Sequence, residues 1–425
     1  METTQTNYHR LIEVLESIEI IDSHEHLPKE EDRLAQNVDF SSLFVQYTRG
    51  DFMAAGMTVA EANKFMSEQT PLDEKWRLFE PYYHYAQDGS YCRAVAIASE
   101  KFYGIGRLNA FADAEKLTEA MKNANKKGLY KKVLKDTCKI RLAMNYGTLE
   151  DDPEFFAPVL FMNHYAEVSK PIIRELEDSV GVSCARIDTY VEAVAEQLRR
   201  NKAKGMKGMK FSLAYTRDLN FAPTPKSDAE RVFNRVMEEG YGWRGLSLGY
   251  NESRPLQDYM VHRLMEMAGE LDIPVVFHSG FQADIEHNVD DVRPTRLWNL
   301  PHRYRNVDFV ILHAGMPWME DAAMLAKHYS NVYLDMGWDH IMSPEISTRA
   351  IQTWIDLVPM NKVFGFGGDY VVVEKVYGHL IIARQNIARA LASKMETDGM
   401  PFGRAKAWIQ AMMFDNLKRV FRLDV

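Results

Sequence analysis

The feature that most constrains the fold is an alternation of short apolar segments with longer amphipathic segments in the C-terminal half of the chain. Four apolar runs have the length and composition of buried parallel strands, at 273–280, 307–315, 331–337 and 362–369. Stretches with helical periodicity accompany them, for example 255–271 and 344–358. Because a parallel strand needs a crossover to reach the next strand, this alternation predicts a parallel sheet covered by helices.

The spacing of the strand ends favours a barrel. His278 and His313 lie 35 residues apart, and Asp335 and Asp369 lie 34 residues apart. A strand–helix unit of about 30 residues is typical of a (β/α)₈ barrel. The sequence therefore predicts an α/β fold of the (β/α)₈ TIM-barrel type.

The N-terminal half supplies the remaining strands and an excess of chain. Candidate strands one to four lie at 18–26, 139–147, 157–165 and 205–215. Residues 38–138 read as helical throughout, with apolar residues at three- and four-residue spacing. We therefore predict a helical insertion (38–138) between strands one and two, preceded by an N-terminal helix and the first strand (1–37) and followed by the rest of the barrel (139–425).

Composition narrows the function classes. The chain of 425 residues has 51 basic and 60 acidic side chains, a formal net charge of −9, which gives no general support for nucleic-acid binding. The three cysteines are far apart, so neither a disulfide framework nor a thiolate zinc site is indicated. We find no secretory signal and no run of about 20 apolar residues, and we expect a cytoplasmic protein that does not bind membranes.

The strongest local signal is a His-x-His pair, His24 and His26, at the end of the first predicted strand. Side chains at i and i+2 of a strand point the same way, so both imidazoles can face one metal ion. The alternative is two polar residues in a turn.

Three further strand ends carry side chains that bind metals. His278 and His313 each end an apolar run, and Asp369 ends the last one. The carboxyl ends of barrel strands are where such enzymes place functional groups. Each residue alone could be a buried histidine or a helix cap, but together they predict a metal site.

With these motifs the chain resembles the amidohydrolase superfamily of metal-dependent barrels. The order of His-x-His, strand-four lysine, two strand-end histidines and a strand-eight aspartate carries the resemblance. Within the superfamily the chain is similar to the branch of nodulin-type proteins and of a domain fused to glutamine synthetase, in the stretches 207–221, 274–284, 310–338 and 362–391. The helical insertion resembles that of uronate isomerases.

The resemblance implies site roles. Carried over by position, His24, His26, His278 and Asp369 would be the metal ligands, and His313 would hold the attacking water or the substrate oxygen. Asp369 would be the proton acceptor and donor. Nitrogen and oxygen ligands without thiolate suit one divalent ion, with Zn²⁺ and Mn²⁺ the first choices.

Two cations are candidates for substrate binding. In some relatives the lysine equivalent to Lys210 is carboxylated and bridges two metals, so a second ion is expected if Lys210 is carboxylated here. The alternatives are a cation that faces a substrate carboxylate or one that pairs with Asp369. Arg217 suits bidentate capture of a carboxylate, with an ordinary salt bridge as the alternative.

These features predict a metal-dependent hydrolase of a small carboxylate-bearing amide, ester or lactone. A non-oxidative decarboxylase and an aldose–ketose isomerase on the same barrel remain alternatives, as does a metal-binding scaffold without catalysis. The expected partner is a small molecule, and a homo-oligomer is left open.

Overall fold

The computed structural model of the chain describes residues 2–239, 248–283 and 287–425. Eight parallel strands follow one another around a single sheet in chain order. They are β1 (Ile20–Glu25), β2 (Ile140–Tyr146), β3 (Phe156–Phe161), β4 (Gly208–Phe211), β5 (Val275–Phe277), β6 (Phe309–Ile311), β7 (Val332–Asp335) and β8 (Val363–Phe364).

The α-helices surround this sheet and fill the long connection between β1 and β2. They are α1 (Glu2–Ser17), α2 (Glu30–Ala35), α3 (Tyr47–Ala54), α4 (Val59–Met66), α5 (Leu72–Ala86), α6 (Ser90–Tyr103), α7 (Phe111–Ala124), α8 (Asn163–Ala166), α9 (Lys170–Val180), α10 (Ile187–Ala203), α11 (Lys226–Glu239), α12 (Tyr250–Leu271), α13 (Asn299–Arg303), α14 (Met319–His328), α15 (Asp339–Met342), α16 (Pro344–Leu357), α17 (Val373–Thr397), α18 (Phe402–Gln410) and α19 (Asn416–Val420).

The segment that follows β8 closes the barrel onto β1. The backbone N–H of Ser23 donates to the Phe366 carbonyl at 2.9 Å, and the N–H of Asp369 donates to the His24 carbonyl at 2.7 Å. The predicted (β/α)₈ barrel is confirmed, and so is the helical insertion, whose first helix α2 already begins at Glu30. The boundaries of the three predicted domains stay a prediction.

Alternate strand residues divide between two apolar clusters, as the pleat requires. Ile21, Val276 and Val310 share one cluster with residues of the C-terminal helix α19, among them Leu417. Their sequence neighbours Ile20, Val275 and Phe309 belong to the other cluster, which includes the surrounding helices. The strands are therefore buried on both faces, which explains their continuous apolar sequences.

One strand end differs from the prediction, and one connection is shorter than a typical strand–helix unit. The third strand ends at Phe161, because Asn163–Ala166 turns into the short helix α8 where the sequence predicted strand up to 165. No helix lies in residues 147–155 between β2 and β3, although all of them are described. Tyr130, from the end of the insertion, packs against Phe155 and Phe156 at β3.

The insertion has an apolar cluster of its own. The insertion contacts the barrel through the packing of its helices. Most members of that cluster lie between Val38 and Met121. Helix α6 packs on α17, where an added Cβ at Gly378 would clash with the backbone carbonyl of Ala94. No helix in the described residues is long and apolar enough to cross a membrane.

We expect Gly378→Ala to destabilise the fold by about 1–3 kcal/mol, because the new methyl group must push α6 away from α17. The urea midpoint of unfolding measures this change. Gly403→Ala is the matched control, since no atom lies within 4 Å of its added Cβ. Equal midpoints for the two variants would show that this helix contact is loose.

Candidate metal centre

Closure of the barrel brings the first and last strands together at their carboxyl ends. His24 lies in β1 and His26 directly follows it, while Asp369 follows β8. The His24 and His26 Nε2 atoms are 3.1 Å apart. The Asp369 Oδ1 atom lies 3.3 Å from His24 Nε2 and 3.4 Å from His26 Nε2. We call these three residues the His–His–Asp group.

The His–His–Asp group has the donor set and spacing of a divalent-metal site. One ligand atom from each residue lies within 4.8 Å of the others, and no second such group of His, Cys, Asp or Glu was found in the residues that the structure describes. A carbonyl only accepts, so His26 Nδ1, 3.2 Å from the Tyr146 carbonyl, carries the proton. The Nε2 lone pair of His26 is then directed towards Asp369, which is how proteins orient metal-binding imidazoles.

The protonation states also suit a metal ion. Burial lowers the pKa of His24 well below its usual value and lowers that of His26, so both imidazoles are neutral at pH 7. Burial tends to raise the pKa of Asp369, but a hydrogen bond with the His24 side chain favours the ionised carboxylate, and the pKa lies well below its usual range. Neutral imidazoles and an ionised carboxylate are the forms that ligate metals.

The two other predicted histidines lie side by side. His313 Nδ1 donates to the Gly337 carbonyl at 2.9 Å, and its Nε2 lies 3.9 Å from Asp369 Oδ2. His278 Nδ1 lies 3.1 Å from His313 Nε2, and His278 Nε2 donates to the Phe281 carbonyl at 3.0 Å. His313 therefore faces the group directly, His278 reaches the site next to His313, and the ligand role of His278 stays a prediction.

Lys210 lies at the site as its strand position predicted. The side chain is buried in β4, and its Nζ lies 5.4 Å from the centre of the Tyr146 ring. Burial lowers the pKa of Lys210 to about 7, against the attraction of Asp369 and Asp335. Lys210 is therefore close enough to Asp369 for the carboxylate to favour the protonated form of the lysine.

Arg217 is engaged elsewhere. Its Nη2 donates to Asp258 Oδ1 at 2.6 Å in a pair whose side chains are 0% and 3% exposed. The guanidinium also contacts Gln257 and the Asn220 carbonyl. Arg217 therefore forms a salt bridge, as the alternative prediction had it, although the bridge is buried and not on the surface. Its predicted capture of a substrate carboxylate is not supported by these contacts.

Three residues of the site have left-handed backbone conformations. The φ angles are 58° at His313, 65° at Trp338 and 57° at Asp369. At each of these residues the backbone turns away from the strand that precedes it. Non-glycine residues seldom adopt this region, and such strain concentrates at functional sites.

Two site residues were missed by the sequence analysis. Tyr47, from α3 of the insertion, donates its hydroxyl to the Asp369 carbonyl at 2.6 Å. Tyr146 holds His26 through its carbonyl and packs its ring 3.9 Å from the His24 ring. Tyr146 ends β2, so the strand-end rule could have found it, whereas no pattern in the insertion distinguishes Tyr47.

A cavity of about 720 Å³ lies beside the group, between the insertion and the loops that follow β5, β6 and β7. Tyr47 and Trp338 line it and stack with ring centres 4.5 Å apart. Trp338 in turn meets the His313 ring at 5.3 Å. Of the two tryptophans that follow strands six and seven, Trp338 thus walls the cavity, whereas Trp318 contacts Arg293.

A family model described as Amidohydrolase matches residues 180–423, more than half of the chain. Among curated proteins, Protein fluG of Emericella nidulans is 24% identical over 223 residues. The match covers 51% of this chain but 26% of that protein, so the chain spans about a quarter of the length of this relative.

Two solved structures resemble the whole chain. A glucuronate isomerase from Caulobacter crescentus has a TM-score of 0.78 at 15% identity and covers 100% of this chain and 95% of its own. A uronate isomerase from Thermotoga maritima has a TM-score of 0.78 at 14% identity, over 98% and 97% of the two chains. At these identities the likeness shows a shared fold, including the helical insertion.

Proposed function

The chain belongs to the amidohydrolase family, and from this premise we propose that it is a metal-dependent hydrolase of a small carboxylate-bearing amide, ester or lactone. The single observation that carries the proposal is the His–His–Asp group at the mouth of the barrel. It lies next to a cavity large enough for a small molecule.

His24, His26 and Asp369 would hold one divalent ion, with Zn²⁺ or Mn²⁺ as the first choices for a nitrogen and oxygen donor set. When bound, such an ion supplies Lewis acidity, which polarises a carbonyl and lowers the pKa of water to about 7. The neutral imidazoles and the carboxylate supply the ligand atoms.

Asp369 is the group that can move the proton. Its carboxylate is ionised, buried and within 4 Å of three histidines. It would accept a proton from the attacking water and deliver it to the leaving group. His313, held by the Gly337 carbonyl, would orient the water or the substrate oxygen with its Nε2.

Lys210 would bind the substrate carboxylate in its protonated form, which an anionic substrate favours. We expect Lys210→Met to keep one metal per chain and to raise KM at least tenfold, since a charged hydrogen bond contributes about 1.5–3 kcal/mol. Metal analysis with and without bicarbonate, together with kinetics, measures both. Two metals in the wild type, with one lost in the variant, would instead establish a carboxylated bridging lysine.

An isomerase is the second candidate, favoured by the full-length structural likeness to the two uronate isomerases. A sugar acid needs polar partners for each hydroxyl, however, and most described residues that line the cavity are apolar or aromatic. The lining therefore favours the hydrolase. A decarboxylase could use the same metal, with Asp369 donating a proton to carbon.

Reaction in ¹⁸O-labelled water distinguishes the three. The metal-loaded protein is incubated with a panel of carboxylate-bearing amides, esters and lactones, uronates and aromatic acids, with metal-stripped protein as the control. We expect one ¹⁸O atom in a carboxyl product. Release of CO₂, or conversion of a uronate without a change of mass, would contradict hydrolysis.

A further inference from the structure

The cavity beside the metal centre has aromatic walls. Tyr47 stacks with Tyr91 at 5.3 Å between ring centres and with Trp338 at 4.5 Å, and Phe281 lies 5.9 Å from Trp338. All four residues line the cavity. Rings stacked in this way form an apolar wall, and a ring face that is open to the cavity attracts cations as well as apolar groups.

A carboxylate lies in the same wall. Asp51 belongs to α3, one turn after Tyr47, so the two side chains are on the same face of the helix. Among the described residues, no side chain with a positive charge lines the cavity, and none forms an ion pair with Asp51. Burial raises the pKa of Asp51 to about 6, which leaves it ionised at neutral pH.

A second acceptor is contributed by Gln282, which is fully buried. Its amide nitrogen donates to the Ala214 carbonyl, which fixes the orientation of the amide because a carbonyl only accepts. The Gln282 Oε1 atom then has no hydrogen-bond partner among the described residues. A buried acceptor of this kind is costly unless a donor reaches it.

We propose that this cavity binds an ammonium group of the substrate, with Asp51 as its counter-ion, Gln282 as a further acceptor and the four aromatic rings as its walls. The substrate is then a zwitterionic amide, ester or lactone, which carries an ammonium group in addition to the carboxylate, with its scissile bond at the His–His–Asp group and its ammonium group in the cavity. This assignment rests on the proposed function only for the position of the scissile bond.

Binding of two small probes tests the proposal without turnover. Benzylammonium and the neutral benzyl alcohol are titrated by calorimetry into wild type, Asp51→Asn and Asp88→Asn. Asp88, on the same insertion, is a surface residue paired with Arg107 and lies outside the cavity, which makes it the matched control. Thermal unfolding of each variant checks the fold, and we expect Asp51→Asn to melt no lower than wild type, because it removes an unpaired carboxylate.

We expect wild type and Asp88→Asn to bind benzylammonium at least about tenfold more tightly than benzyl alcohol. Asp51→Asn should lose that preference and leave benzyl alcohol binding unchanged. Equal affinity of wild type for both probes, unchanged benzylammonium binding in Asp51→Asn, or no saturable binding would each overturn the proposal. Hydrolysis could still be found in any of these cases, so the two proposals fail separately.

Discussion

Asp369→Asn should fold, keep at least part of its metal and lose about 10²–10⁴-fold in turnover, the usual cost of removing a positioned acid–base group. This loss corresponds to roughly 3–5 kcal/mol of barrier. The amide keeps one oxygen that can reach a metal ion, but it cannot accept the proton from water. Asparagine also tolerates the left-handed conformation that this position requires, with φ at 57°.

Single-turnover and steady-state kinetics on the substrate found in the panel measure this effect. Asp415→Asn is the control. Asp415 is an exposed residue whose partner is Gln410, and it does not belong to the metal centre. An Asp369→Asn protein with wild-type turnover would refute the role of Asp369 as the base, whatever its metal content.

His24→Ala should reduce the metal content from about one ion per chain to less than about a tenth. Loss of a residue that only supports a ligand already costs about 10–100-fold in affinity, so loss of a direct ligand should cost at least as much. Elemental analysis after dialysis measures the content. His328→Ala, which removes an exposed histidine, should keep the ion.

Because His24 is buried against Tyr146, its removal also leaves a hole. His26→Ala is the companion variant, since the His26 side chain is 28% exposed and its removal disturbs packing less. Two folded variants that retain stoichiometric metal would show that the ion is held elsewhere.

The sequence predicted the barrel because each strand is buried on both faces and so leaves a continuous apolar run. It also predicted that His24, His26 and Asp369 would meet, since β1 and β8 are neighbours in a closed barrel. The family model confirms that the chain belongs to the amidohydrolase family, and the solved uronate isomerase structures show that the fold is shared.

The remaining features depend on contacts that no local pattern records. Arg217 is paired with Asp258, 41 residues away on α12, and nothing in its own segment indicates that partner. The orientation of His278 is set by the Phe281 carbonyl in the loop after β5. Tyr47 and Asp51 reach the site because the insertion folds over the barrel mouth.

The central claim is that one divalent ion is held by His24, His26 and Asp369. Crystals of the metal-loaded protein, measured at the absorption edge of the ion found by elemental analysis, test it most directly. We expect one anomalous peak about 2.0–2.2 Å from an imidazole nitrogen of each histidine and from a carboxylate oxygen of Asp369. A peak at other residues, or none at these three in protein that carries stoichiometric metal, would contradict the claim.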